Sequence, residues 1–202
     1  MIKAICFDLD GVYFTDKGKK AFHKALTDLS GSEEKVIHFL YKSDEMANFS
    51  SGNITENDLW DFARNYLNLN LTNQAFRDLW VKEYETDENV KSTVLKARKN
   101  GYITCICSNN NAARVEELDK KFNFLNNFDV KVFSYKIGFF KPKKEIFQEL
   151  IKQSKVKPEE IVYSDDKEDR LTGAFELGIN TFVYENFEQF TNELKKLGVN
   201  FD

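Results

Sequence analysis

Four short segments carry residue types that can do chemistry together. Asp8-Leu9-Asp10-Gly11 sets two carboxylates two positions apart at the end of an apolar run. Burying like charges without a cation is costly. The pair therefore implies a bound metal, a proton-transfer role or both, and a solvated turn is the bland alternative. Gly11 permits a sharp turn that lets the two side chains converge. Ser108-Asn109 follows a second apolar run and offers a hydroxyl and free backbone N–H groups suited to an oxyanion, or simply a helix cap. In Lys141-Pro142, a cation precedes a residue that opens helices well; the lysine either balances negative charge in a crevice or faces solvent. Asp165-Asp166 supplies the oxygen ligands that Mg²⁺ prefers, or an acidic helix start favoured by the helix dipole.

These segments need elements to position them. Continuous apolar runs at Lys3–Asp8, Tyr102–Cys107, Val130–Ser134, Ile161–Ser164 and Asn180–Tyr184 predict strands covered on both faces. Helical stripes such as Ile146, Phe147, Leu150 and Ile151, or Phe187, Phe190, Leu194 and Leu197, fall between or after them. Gly101 and Gly178 fit left-handed helix ends before strands. The alternation predicts an α/β fold with a parallel sheet. Ligands of such sheets bind at the carboxyl ends of the strands, where all four segments fall. Residues 17–85 differ. They hold no convincing strand but several helical patterns, including Thr55 with Asp58 three residues later, close to a capping box. The expected organisation is a core of residues 1–16 and 86–202 with a helical cap of residues 17–85 inserted after the first strand.

Asp-x-Asp, Ser, Lys and Asp-Asp, each at the end of a different predicted strand, resemble the haloacid dehalogenase-like superfamily. The matching segments are Asp8-Leu9-Asp10-Gly11-Val12, Ser108-Asn109, Lys141-Pro142 and Asp165-Asp166. The likeness spans nearly the whole chain, and the arrangement and cap most resemble the small sugar-phosphate phosphatases. The resemblance implies a Rossmann-like three-layer sandwich and a Mg²⁺-dependent phosphatase. Asp8 would form an aspartyl-phosphate, and Asp10 would protonate the leaving alcohol and then activate water. Mg²⁺ would be held by the Asp8 carboxylate, the Asp10 backbone carbonyl and Asp166, with Asp165 nearby. Ser108, the Asn109 backbone and Lys141 would hold the transferring phosphoryl group. The sequence departs from the family after Asp166. Lys167 and Arg170 stand where a small residue and an Asn or Asp are usual, with Asp169 offered as a substitute one residue early. A phosphomutase of the β-phosphoglucomutase type and a non-catalytic binding protein on the same fold are the alternatives. The first calls for extra cap cations, and Glu45–Gly52 has none. A 2-haloacid dehalogenase would leave Asp10, Asp165 and Asp166 surplus.

The substrate expected is a small phosphorylated metabolite. Tyr13 and Phe14 beside the nucleophile, and Glu45 and Asn48 in an inter-helix segment Glu45–Gly52, are candidates to contact it; an ordinary helix–helix turn is the alternative. His23 and His38 read as cap surface or core. Of 202 residues, 42% are hydrophobic, enough for a packed core. A net charge of −4 gives no basic face for nucleic acid. No apolar run approaches membrane-spanning length, and the first residues lack a leader pattern. The three cysteines are expected reduced, with Cys105 and Cys107 on one strand face rather than on a metal. The chain is thus expected to be a cytoplasmic monomer or homodimer.

Overall fold

The computed structural model describes residues 1–200. In chain order the elements are β1 (Ala4–Phe7), α1 (Lys17–Ser30), α2 (Glu33–Tyr41), α3 (Asp44–Ser50), α4 (Glu56–Leu67), α5 (Asn73–Val81), α6 (Glu88–Lys99), β2 (Ile103–Ser108) and α7 (Ala112–Phe122). They continue with β3 (Val130–Phe133), α8 (Ser134–Ile137), α9 (Lys144–Ser154), β4 (Ile161–Asp165), α10 (Thr172–Phe175), β5 (Asn180–Val183) and α11 (Phe187–Lys196). The strands form one parallel sheet in the order β3-β2-β1-β4-β5. Each strand matches one of the five expected apolar runs to within one residue at either end.

Strand side chains alternate between faces, and the core divides accordingly. Ile5, Phe7, Ile106 and Val162 point to one layer, shared with Val90, Val94 and Ala97 of α6 and Phe190 and Leu194 of α11. Ala4, Cys6, Cys105, Cys107 and Tyr163 point to the other, against Ile146, Phe147 and Leu150 of α9. The result is a three-layer α/β sandwich of Rossmann-like type. The three cysteines are free and buried within it, and Cys105 and Cys107 share a strand face as expected. Register places Phe7 beside both Ile106 and Ser164. The residues that follow β1, β2 and β4 therefore emerge along one edge of the sheet. Strand order reverses around β1, and such a switch point opens a crevice above the carboxyl ends.

Helices α1–α5 intervene between β1 and β2 and pack on one another. The capping box at α4 forms: Thr55 Oγ1 accepts from the Asp58 N–H, and the Asp58 carboxylate accepts from the Thr55 N–H. Inside this layer Trp60 stacks on Phe76, with centroids 4.5 Å apart, and Phe22 stacks on Trp80 at 5.0 Å. Glu45–Gly52 is not an inter-helix loop. Ser43 Oγ accepts from the Met46 N–H, and Met46 and Phe49 are buried three residues apart. This N-cap and apolar spacing make the segment helix α3.

The helical layer is fastened to the sheet domain at two places. Arg77 of α5 pairs with Glu56 of α4 and with Glu116 and Glu117 of α7, while Lys121 of α7 donates to the carbonyls of Val81 and Lys82 at the end of α5. Ser134 of α8 donates to the Ser50 carbonyl at 2.7 Å. No helix among the described residues is long and apolar enough to cross a membrane.

A third fit governs the segment carrying Lys141. Gly173 in α10 lies so close to it that an added Cβ would meet the Pro142 carbonyl oxygen at 1.8 Å. Overpacking of this kind costs about 1–3 kcal/mol. Gly173→Ala is expected to lower unfolding free energy by about that amount, read from the urea midpoint at unchanged slope. An unchanged midpoint would show that the Lys141 segment yields freely.

Candidate active site

A cleft of about 760 Å³ opens between the carboxyl edge of the sheet and helices α1–α3. Asp8 and Asp10 follow β1, and Asp165 and Asp166 close β4; all four line the cleft. Asp8, Asp10 and Asp165 are buried and Asp166 is half-buried. One oxygen from each of Asp8, Asp165 and Asp166 lies within 4.8 Å of the others.

Lys141 holds this acidic cluster together. It is 2% exposed. Its ammonium donates to Asp165 Oδ2 at 2.6 Å and to the Tyr163 hydroxyl at 2.8 Å. It also lies 2.9 Å from Asp8 Oδ1. Burial disfavours the ammonium, but Asp8 and Asp165 outweigh that cost and hold its pKa above the usual lysine range. The Asn109 side chain clasps the backbone that carries this lysine: its Oδ1 accepts from the Lys141 N–H at 2.8 Å, and its Nδ2 donates to the Lys141 carbonyl at 3.2 Å. Arg170 donates to that same carbonyl at 2.7 Å. Asp169 points to solvent, its side chain 78% exposed and its Oδ1 3.9 Å from Arg170 Nε. Arg170, at the position where the resembled family usually has an Asn or Asp, turns inward to the Lys141 loop.

The carboxylates differ in their surroundings. Burial, with Asp165 and Asp10 nearby, raises the pKa of Asp8 despite Lys141. Against the same burial, Lys141 and Tyr163 lower that of Asp165. Asp165 Oδ1 also accepts from the Lys167 N–H at 3.0 Å. Asp166 is pushed up to about 6 by burial and by Asp8. Asp10 turns away from the acidic cluster. Its Oδ2 is 2.9 Å from the Arg114 guanidinium and 3.6 Å from the Lys19 ammonium, and its Oδ1 accepts from the Tyr84 hydroxyl at 3.1 Å. Those contacts overcome desolvation and lower its pKa.

The donor set of Asp8, Asp165 and Asp166 fits a hard divalent cation, whose preferred ligands are carboxylate oxygens. Two details of the site bear on that fit. Asp8 Oδ1 is buried without an aligned hydrogen bond. Asp166 approaches Gly11 so closely that a Cβ there would lie 2.7 Å from Asp166 Oδ2. Only glycine, here at φ +81°, admits the carboxylate to that position.

Several expected contacts fall elsewhere. Tyr13 and Phe14 are fully buried and do not line the cleft. Their rings pack edge-on against each other, and Phe14 packs edge-on and Tyr13 tilted against Phe124, because the chain turns back after Gly11. Glu45 and Asn48 lie off the cleft-facing side of α3, which presents Met46, Ala47 and Ser50 instead. Ser108 is buried at the end of β2 and is not among the lining residues. Neither Ser108 nor Asn109 caps α7; Asn111 does, its Oδ1 accepting from the Arg114 N–H. His23 lines the cleft, with Nδ1 3.4 Å from the Tyr41 hydroxyl.

Sequence reasoning missed Lys19, Tyr84 and Arg114 around Asp10. Arg114 had a usable signal: it lies in the first turn of the helix that follows a chemistry-bearing strand end. Lys19 and Tyr84 sit at the two junctions of the helical insert, where no local pattern marks them.

A family model of haloacid dehalogenase-like hydrolases matches residues 2–178. A D-ribitol-5-phosphate phosphatase of Bacteroides thetaiotaomicron is 29% identical over 96% of this chain and 97% of its own. A haloacid dehalogenase-like hydrolase of Porphyromonas gingivalis superposes with a TM-score of 0.82 at 24% identity, covering 99% of both chains. An enzyme of that family from Bacteroides thetaiotaomicron, solved with magnesium and inorganic phosphate, gives 0.78 at 22% identity over 91% of this chain and 94% of that one. At these identities the likeness to the two structures is one of fold.

A cation held by Asp166 would bind in a pH-dependent way, because burial and Asp8 push that carboxyl up to about 6. A carboxyl that gains its proton near pH 6 is a poor ligand below that pH. Without a cation, a folded-state pKa raised above the unfolded value stabilises at acid pH, and that contribution is lost as pH rises through about 6. Thermal melts with Mg²⁺ or with EDTA are expected to differ by several degrees at pH 7.5 and to converge at pH 5. A gap of equal size at both values would remove Asp166 from the cation site.

Proposed function

The chain belongs to the haloacid dehalogenase-like hydrolase family, and on that premise we propose that it is a Mg²⁺-dependent phosphatase of small phosphorylated metabolites, with polyol or sugar phosphates as the first candidates. The observation that carries this reading is the buried Lys141 lying between Asp8 and Asp165 and lining the cleft. A carboxylate nucleophile must approach an anionic phosphoryl group. Near a protein surface, a unit-charge pair at about 4 Å is worth about 4 kcal/mol. A fixed ammonium beside the nucleophile offsets that repulsion and stabilises charge in the transition state.

In this reading Asp8 attacks phosphorus and forms an aspartyl-phosphate. Asp10 gives a proton to the departing alcohol and then takes one from the water that hydrolyses the intermediate. Lys141 binds the transferring oxygens, and the Asn109 side chain fixes the loop that delivers it. Asp8, Asp166 and Asp165 would hold Mg²⁺, with the Asp10 carbonyl as a further ligand. When bound, the cation neutralises charge on the phosphoryl oxygens. Ser108 and the Asn109 backbone complete the proposed phosphate site. The whole-length likeness to a D-ribitol-5-phosphate phosphatase supports a polyol or sugar phosphate. Free, buried thiols suit a reducing compartment such as the cytoplasm.

A panel of sugar and polyol phosphates, assayed for released phosphate with Mg²⁺, tests the proposal. Asp8→Asn is expected to lower kcat at least about 10³-fold, as loss of a nucleophile does, and EDTA to abolish turnover. Retained activity in Asp8→Asn would overturn the mechanism. Conversion of a substrate to its positional isomer without phosphate release would favour a mutase.

A further inference from the structure

Asp10 is held on both of its oxygens by groups from three parts of the chain. The Tyr84 hydroxyl, from the strand-like return out of the helical layer, donates to Oδ1 at 3.1 Å. Arg114 of α7 sits 2.9 Å from Oδ2, and Lys19 of α1 lies at 3.6 Å. Arg114 is itself locked. Its Nε donates to Asn110 Oδ1 at 2.8 Å, its Nη1 to the Tyr84 hydroxyl at 3.2 Å, and its guanidinium carbon lies 5.5 Å from the centre of the Trp80 ring. Its side chain is only 10% exposed, yet it borders the cleft. These donors hold Asp10 as the carboxylate. A carboxylate has about four lone-pair sites, so one stays open on the cleft side to take the proton that a phosphomonoester monoanion brings and to pass it to the leaving oxygen.

From this geometry we infer that Arg114, aided by Tyr84, is the positioning residue of the acid–base group Asp10. The inference rests on the phosphatase reading above. In the first chemical step an Asp8 oxygen–phosphorus bond forms while the phosphorus–alkoxy oxygen bond breaks. The bonding pair stays on the alkoxy oxygen, and the proton carried by Asp10 passes to it. An alkyl alkoxide is a poor leaving group and depends on that proton arriving along a defined path. A p-nitrophenolate leaves without it. Arg114 therefore acts on the rate through the orientation of Asp10, and its effect scales with the need of the leaving group for a proton. A side chain that merely supports the fold has no reason to distinguish the two esters.

The test compares kcat/KM, which reports steps up to alcohol departure, for ribitol 5-phosphate and p-nitrophenyl phosphate. Arg114→Met keeps an apolar stem against Trp80 and removes the charge. It is expected to lower kcat/KM on ribitol 5-phosphate about 100-fold, the lower end of what a general acid supplies, and on p-nitrophenyl phosphate by less than about tenfold. Arg114→Lys is expected to recover part of the alkyl-ester loss. Tyr84→Phe, which deletes one hydroxyl and carries the test if Arg114→Met does not fold, is expected to show the same selectivity at smaller magnitude. Equal losses on both esters in these variants would overturn the inference alone. A native protein that hydrolyses neither ester would overturn the phosphatase reading and the inference with it.

Discussion

Mutual repulsion among the carboxylates at the carboxyl edge of the sheet is the constraint on which the rest of the structure depends. Three of them bring oxygens within 4.8 Å of one another, and a fourth, Asp10, stands beside them. Fully exposed, they would be indifferent neighbours in a high dielectric. Buried, they can persist only with cations at fixed positions. Among the described residues the chain supplies two buried cations, with the more exposed Lys19 beside the second. Lys141 enters from the loop after β3 and holds Asp8 and Asp165. Arg114 enters from α7 and holds Asp10. Much of the surrounding architecture keeps these two side chains in place. Asn109 and Arg170 grip the Lys141 backbone, Gly173 gives that loop room, and Asn110 and Tyr84 grip Arg114.

This division separates the acids by environment. Asp8, Asp165 and Asp166 share one neighbourhood, where an ammonium and open lone pairs favour an added cation. Asp10 is withdrawn to a second neighbourhood of guanidinium, ammonium and phenol. Contrary to the convergence expected from the sequence, carboxylates two residues apart sit in different surroundings, because Asp8 still continues the line of β1, bonded to Ser164, whereas Asp10 lies in the tight turn closed by Leu9, Gly11 and Phe14. The same turn drives Tyr13 and Phe14 into the aromatic core, where they support the nucleophile strand from beneath rather than meeting substrate.

Much of this was legible in the sequence, and the reasons are local. Buried parallel strands announce themselves by unbroken apolar runs, so β1–β5 and the residues at their carboxyl ends could be read directly. The capping box at Thr55 was readable because its partners are three residues apart. Contacts across the insert were not. Lys19, Tyr84 and Arg114 meet Asp10 from positions up to about a hundred residues away, and each looks locally like an ordinary helix or loop residue. The face that α3 turns to the cleft was equally hidden, because a seven-residue segment shows too little periodicity to separate Met46 and Ser50 from Glu45 and Asn48.

The attachment of the helical layer carries a consequence for how such chains can be recombined. Lys19 and Tyr84 stand at the two seams of the insert, and α5 is bolted to α7 through Arg77 and Lys121. The insert therefore brings two of the groups that hold Asp10 with it, not only one wall of the cleft. A chimera that grafts a foreign helical layer onto this sheet domain would inherit the Asp8, Asp165 and Asp166 cluster intact but a loosened Asp10. The wall of the cleft on α1–α3 can then be altered residue by residue, with the two seams left unchanged.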